Sequence, residues 1–372
     1  MSKDSILVRG VNWLGDAVMS TPALLRLRAA QPAARIVLLT TEKLGELWRD
    51  HPAVDEVAAF GEKDSVFRVG RQLRELNCGT ALILPNSPRS ALECWLAKIP
   101  RRIGYARPWR TWALTDKVPA RANELPMTKR SPYETRLLIE TGIHIKRAAL
   151  PAGAHHIYQY LELTTALGAS KEPCAPMIAV KDEALANIGT KFGAAARGNR
   201  ARPLVGINAG AEYGPAKRWP KERFIAAAAA LHQQRPCDWW IFGGPAERGL
   251  SESIASDLRG RLGTTAKVEG LAGRTSLGEL CAALKAVDVL LTNDSGPMHI
   301  AAAVGTPVVA LFGSTSPELT GPGLPGDPRH QLLREAPGCA PCFQRECPID
   351  FRCMTGITVE RVVKALARVV AP

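Results

Sequence analysis

The stretch LLTNDSGPMHIAAAVGTPVVALFGSTSP, residues 290–317, sets Asp294, Ser295 and Gly296 between two apolar runs, with His299 three residues beyond the glycine. An acid, a hydroxyl and a glycine where a strand ends and a helix begins allow two readings. The N–H groups of a helix's first turn lack intrahelical partners and carry partial positive charge, so the turn can hold an anion. The same residues can equally form an ordinary N-cap, with Pro297 suited to the first turn. A second loop, NAGAEYGPAKRWP (208–220), has small residues that let a ligand approach the backbone, then Lys217 and Arg218. Backbone donors beside a cation suit a pyrophosphate; a surface loop with two solvated bases is the plainer reading. In FGGPAE (242–247), Glu247 can accept hydrogen bonds from ribose hydroxyls or simply favour a helix start. In GVNWLGDAV (10–18), Asp16 is either a cap or a carboxylate able to act as a base. The chain has neither G-x-G-x-x-G nor a Walker A loop, which disfavours a dinucleotide oxidoreductase or a P-loop ATPase.

These loops need a frame, and the chain supplies an alternating one. SILVRG, RIVLLT, EVAAF and TALILP read as strands separated by helical segments, and the pattern restarts after SKEPCAP (170–176) with PLVGINAG, DWWIFGGP, VDVLLTNDSG and TPVVALFG. Strands alternating with helices predict an α/β fold with parallel sheets, whose ligands bind at the carboxyl ends of the strands. HHIYQYLELTTALGA reads as a helix before the linker, and TVERVVKALARVV as a closing amphipathic helix. A length of 372 residues suits two such domains.

The net charge is +13, and it is unevenly spread: ten basic residues lie between Arg89 and Arg130 against three acidic ones, with Trp95, Tyr105, Trp109 and Trp112 among them. A basic patch with aromatics fits an anionic partner such as a phosphorylated glycan, an acidic membrane surface or nucleic acid; the alternative is a solvated face over core tryptophans. No recognisable nucleic-acid module accompanies the charge. No secretory leader and no apolar run long enough to span a bilayer are evident, so the expected location is cytoplasmic. Four of the nine cysteines cluster in GCAPCFQRECPIDFRC, as Cys339, Cys342, Cys347 and Cys353. One C-x-x-C could join a zinc site, but without a second tight pair these read better as reduced structural thiols, and no metal or cofactor is expected.

RGVNWLGDAVMSTPALLRLR together with the 290–317 stretch resembles the ADP-heptose:lipopolysaccharide heptosyltransferase family. AKRWP and CAPCFQRECPIDFRC are most similar to its heptosyltransferase II branch. The resemblance covers nearly the whole chain. It implies a GT-B architecture of two Rossmann-like domains whose parallel sheets face a central cleft: an acceptor domain over 1–169, a nucleotide-sugar domain over 177–350, and a terminal helical segment, 351–372, packing back toward the first. By the same resemblance Asp16 is the catalytic base of an inverting transfer. Lys217 binds phosphate, Glu247 the ribose, and Asp294, Ser295, Gly296 and His299 the donor. The implied donor is ADP-heptose. The implied acceptor is the anionic lipopolysaccharide inner core, met at the cytoplasmic face of the inner membrane, with Arg101, Arg102 and Arg107 as candidate acceptor contacts. A heptosyltransferase I-like enzyme with another donor or acceptor, and more remotely a nucleic-acid-binding protein, are the alternative expectations.

Overall fold

The computed structural model describes residues 2–122, 124–125, 127–142, 150–195 and 199–370. The chain divides into two compact units, Met1–Glu124 with Gly153–Ala179, and Leu125–Ala152 with Val180–Pro372.

The first unit is a six-stranded parallel sheet: β1 (Ser2–Arg9), β2 (Arg35–Thr41), β3 (Glu56–Phe60), β4 (Cys78–Ile83), β5 (Arg101–Tyr105) and β6 (Asp116–Val118), in the order β3-β2-β1-β4-β5-β6. Its helices are α1 (Leu14–Ala30), α2 (Val66–Glu75), α3 (Pro88–Leu96) and, returning late in the sequence, the helix Ile157–Thr165. Side chains alternate across a strand, so Leu7, Val37, Leu39 and Ile83 share one sheet face and pack with Val69, Leu73, Ala91 and Cys94 of α2 and α3. Inside α1, Pro22 has no N–H to give the carbonyl of Val18. The Thr21 hydroxyl donates to that carbonyl instead, at 2.8 Å, so the helix continues past the proline.

The second unit repeats the plan. Helix α4 (Pro132–Glu140) precedes the return of the chain to the first unit, where Ile157–Thr165 is α5. The second sheet comprises β7 (Leu204–Asn208), β8 (Asp238–Phe242), β9 (Val268–Gly270), β10 (Val289–Asn293), β11 (Val308–Phe312) and β12 (Gln331–Arg334), all parallel, in the order β12-β11-β10-β7-β8-β9. Helices α6 (Asp182–Phe192), α7 (Lys221–Gln234), α8 (Arg248–Leu262), α9 (Leu277–Ala286), α10 (Gly296–Ala303), α11 (Pro317–Thr320), α12 (Arg352–Thr355) and α13 (Val359–Val369) complete it.

The α/β class and the two parallel Rossmann-like sheets are as expected. The compact units differ from the expected limits in two places. Residues 170–176 are not a free linker. Arg26 of α1 donates to the Glu172 carbonyl at 2.8 Å, and the Met177 amide donates to the Thr21 hydroxyl at 3.1 Å, which ties this strip to the first unit. Leu125–Ala152 belongs to the second unit, because Arg130 N–H donates to the Cys342 carbonyl and Arg136 to that of Pro348. The apolar stripe of the closing helix α13, Val362, Val363 and Leu366, is buried in the second unit's core with Trp219, Phe224 and Met354. An amphipathic helix buries its stripe where the nearest open sheet face offers apolar cover, and α7 borders that face here. Among the described residues, no helix is long and apolar enough to cross a membrane.

Candidate active site

In open α/β sheets the ligand crevice lies where the strand order reverses, outside the carboxyl ends. In the second unit that point falls between β7 and β10, and the loops there are the ones the sequence singled out. Lys217 Nζ lies 2.6 Å from Asp294 Oδ2, with side chains only 12% and 5% exposed. The same oxygen accepts from the Thr315 hydroxyl at 2.6 Å. The Ser295 side chain does not cap α10; its hydroxyl accepts from the Asn208 amide at 3.1 Å and lies 3.2 Å from the Thr292 hydroxyl. The plain N-cap reading therefore fails for Ser295. The helix that opens at Gly296 starts beside a buried cation–carboxylate pair, where its N-terminal dipole favours an anion. His299, its fourth residue, is buried.

Glu247 follows β8, the neighbour of β7, and its Oε2 accepts from the Gly244 amide at 3.0 Å. The carboxylate lies directly on the backbone of Gly210: a Cβ there would sit 1.9 Å from Glu247 Oε1. Glycine at 210 is thus what lets the loop after β7 meet the carboxylate after β8. Lys217, Glu247, Asp294, Ser295 and Gly296 are brought to one end of one sheet. Asn293 holds the loops together. Its amide donates to the Ala209 carbonyl at 2.7 Å, and its oxygen accepts from the Trp219 amide at 3.0 Å.

In the first unit the strand order reverses between β1 and β4, and Asp16 stands in the first turn of α1, just past β1. Its Oδ1 accepts from the Tyr160 hydroxyl at 3.2 Å. Tyr160 is buried on α5, which packs on α1. Burial, then the Asp16 charge, pushes the Tyr160 phenol well above its usual range, so it stays a proton donor to the carboxylate. His156, one helical turn before Tyr160, is held below the usual histidine range by burial. Asp16 opposes that shift and Arg121 adds to it. The loop from β1 to α1 is anchored from beneath. Arg9 is ion-paired to the fully buried Glu93 at 2.9 Å, donates to the Gly10 carbonyl at 2.5 Å and to Asn12 at 2.9 Å, and lies 4.6 Å from the Phe60 ring centre. With Asp16 as the expected base, Tyr160→Phe should lower kcat about tenfold or more, since a hydrogen bond to a charged group is typically worth ~1.5–3 kcal/mol. An unaltered kcat in steady-state kinetics would show that Tyr160 does not orient Asp16.

The basic patch separates into unlike parts. Arg101 and Arg102 open β5, so they lie at the amino end of the sheet, a strand length of ~13 Å from the end that carries Asp16. Arg101 pairs with Asp116 at 3.0 Å, and Arg102 donates to the Ala113 carbonyl at 2.7 Å. Both knit β5 to the segment leading into β6, away from the Asp16 end. Arg107 follows β5 at the Asp16 end and pairs with Glu124. Arg110 is fully buried, and burial pushes its guanidinium down to about 10. Among the described residues no group of three or more His, Cys, Asp or Glu is placed to hold a metal ion. Burial raises the thiols of Cys339, Cys342 and Cys353, the last to about 12, with the neighbouring thiols adding to it, which makes them poor nucleophiles.

Asn208, Asn293, Thr315, Tyr160, His156 and the Arg9–Glu93 pair were not singled out by sequence. Only His156 and Tyr160 carried a signal, their i, i+4 spacing on one helix face.

The sequence profile of glycosyltransferase family 9 (heptosyltransferase) matches residues 66–351. The chain belongs to that family. This family 9 glycosyltransferase is 30% identical over 325 residues to lipooligosaccharide heptosyltransferase 2 of Haemophilus influenzae, covering 86% of each chain. It is 29% identical over 326 residues to lipopolysaccharide heptosyltransferase 2 of Salmonella typhimurium, covering 85% of each. Its fold superposes on the structure of the E. coli ADP-heptose LPS heptosyltransferase II with a TM-score of 0.77 and 26% identity, over 98% of both chains. The expected GT-B class of fold accords with that similarity.

Proposed function

We propose that this glycosyltransferase moves L-glycero-D-manno-heptose from ADP-heptose to a heptose already present on the lipopolysaccharide inner core, with inversion at the anomeric carbon. The observation that carries the donor assignment is the Lys217–Asp294 pair at the amino end of α10, beside a carboxylate resting on a glycine loop. That arrangement suits a nucleoside diphosphate: Glu247 for the ribose, Lys217 and the helix amides for the phosphates. The likeness to heptosyltransferases 2 supports the heptose and the acceptor.

In this reading Asp16 takes the proton of the acceptor hydroxyl as its oxygen attacks the anomeric carbon. The bond to the donor phosphate breaks in the same displacement, and ADP leaves with the electron pair. Lys217 and the α10 amides stabilise the charge that gathers on the leaving diphosphate. Tyr160 keeps the carboxylate turned toward its work. Asp294 and Thr315 hold Lys217 in place until the phosphates arrive. His299 acts from within α10 on the donor side.

The acceptor is anionic and lipid-anchored, so we place the enzyme at the cytoplasmic face of the inner membrane, held peripherally. Arg107 and the exposed Trp109 and Trp112 support that placement. Arg107→Ala should raise the KM for acceptor and leave ADP affinity as in the wild type; an unchanged KM would remove Arg107 from the acceptor site. The deciding experiment is transfer from ADP-heptose to heptose-bearing inner core, with a chelator present, set beside acceptors lacking the heptose and beside other sugar nucleotides. Turnover confined to the first pair is the expected result. Preference for the heptose-free acceptor would move the enzyme to the heptosyltransferase I type.

A further inference from the structure

The cysteine-rich loop before α12 has no part in the transfer as described, yet it is joined to the phosphate loop. The Ala216 amide, next to Lys217, donates to the Arg345 carbonyl at 2.9 Å. The Tyr213 hydroxyl donates to the Phe343 carbonyl at 2.7 Å. Gly214 lies so close that a Cβ there would stand 2.5 Å from the Arg345 carbonyl oxygen. The side chain of Arg345 then turns onto the ring of Tyr213, 5.4 Å from its centre, and Lys217 Nζ lies 4.8 Å from the centre of that same ring. Arg345 is exposed, and among the described residues it makes no ion pair. Lys217, by contrast, already has Asp294 as counter-ion.

We infer that Arg345 is a second donor-binding cation, which engages the diphosphate beside Lys217. The inference rests on the donor reading above. Charge favours it. Lys217 arrives largely balanced by Asp294, so a diphosphate needs another positive group, and a guanidinium matches phosphate oxygens in bidentate fashion. The aromatic face of Tyr213 orients both cations and costs them little desolvation. The loop gains a purpose as well. Cys339, Cys342 and Cys353 are buried, and Cys353 and Ala340 lie in the second unit's core, so this end of the loop is fixed while Arg345 projects.

The test uses the full chain, with ADP and adenosine as probes in titration calorimetry. The hydrogen bond from the Ala216 amide runs to the Arg345 carbonyl and survives loss of the side chain, so Arg345→Ala removes only the guanidinium and its contact with the Tyr213 ring. Its ADP affinity should fall ~10-fold or more, adenosine affinity should hold, and Arg345→Lys should recover part of the loss. Equal ADP affinity in Arg345→Ala and wild type would overturn the inference. So would a parallel loss of adenosine binding, which marks a structural role. A wild type that ignores ADP would overturn the donor reading itself and this inference with it.

Discussion

Asp16→Asn should cut heptose transfer by ~10²–10⁴-fold, the usual contribution of a positioned general base, and leave ADP affinity where it was. The amide keeps the size of the carboxylate and can still accept from Tyr160, so the β1–α1 turn should be preserved. What it loses is the ability to take a proton. Lys217, Glu247 and Asp294, the proposed donor groups, belong to the other compact unit, so nucleotide binding gives an internal control. Single-turnover transfer and ADP titration on the same preparation check both halves. Transfer within tenfold of wild type would remove Asp16 from the chemistry and return it to the role of a helix-start acid. A joint loss of transfer and ADP binding would point to misfolding instead.

The second large effect concerns stability. Glu93→Leu should destabilise the first unit by about 3–5 kcal/mol, the cost of stranding one member of a buried ion pair. Arg9 and Glu93 are 2% and 0% exposed and 2.9 Å apart, and Arg89 holds the other carboxylate oxygen at 2.8 Å. Without Glu93 the Arg9 guanidinium keeps Gly10 and Asn12 as acceptors but has no buried counter-charge. Replacing both partners, as Arg9→Met with Glu93→Leu, should recover much of the loss, because neither charge is then left inside. Urea midpoints of the three proteins decide this. If the double variant is no more stable than Glu93→Leu, the pair is not what the first unit depends on. The recovered double variant should still turn over slowly, since Asn12 then loses the donor that fixes the turn before Asp16.

How much of this was legible beforehand follows from where each signal resides. The two sheets were readable because parallel strands buried on both faces leave continuous apolar runs such as RIVLLT and VDVLLT. Asp16, Lys217, Glu247 and Asp294 were readable as candidates because each lies in the loop or first helical turn that follows such a run. The partners that hold them were not. Thr315 meets Asp294 across 21 residues, and Tyr160 meets Asp16 across 144, and nothing local records either meeting. The placement of Arg101 and Arg102 was hidden for a related reason. Sequence proximity to Arg107 hides the fact that β5 runs between them and carries them to opposite ends of the sheet. The buried Arg110 misled by composition alone, since a charge count cannot tell an interior guanidinium from a surface one.

The division of the chain bears on its synthesis. Because Leu125–Ala152 belongs to the second unit and Gly153–Ala179 to the first, the polypeptide changes allegiance three times. A ribosome making it releases five-sixths of the first sheet, and then its sixth strand, well before α5 exists. Until residues 153–179 emerge, α1 has no α5 to pack on and Asp16 has no Tyr160. When they do emerge, the preceding segment is still waiting for a partner that lies two hundred residues ahead. Fragments cut near residue 170 therefore cannot yield two self-sufficient halves. The first would lack the strip that ties down α1 and would carry an orphaned helix α4, and the second would lack that helix. Coexpressed pieces split at 179/180 would strand only the one segment, which makes that junction the place to divide the enzyme.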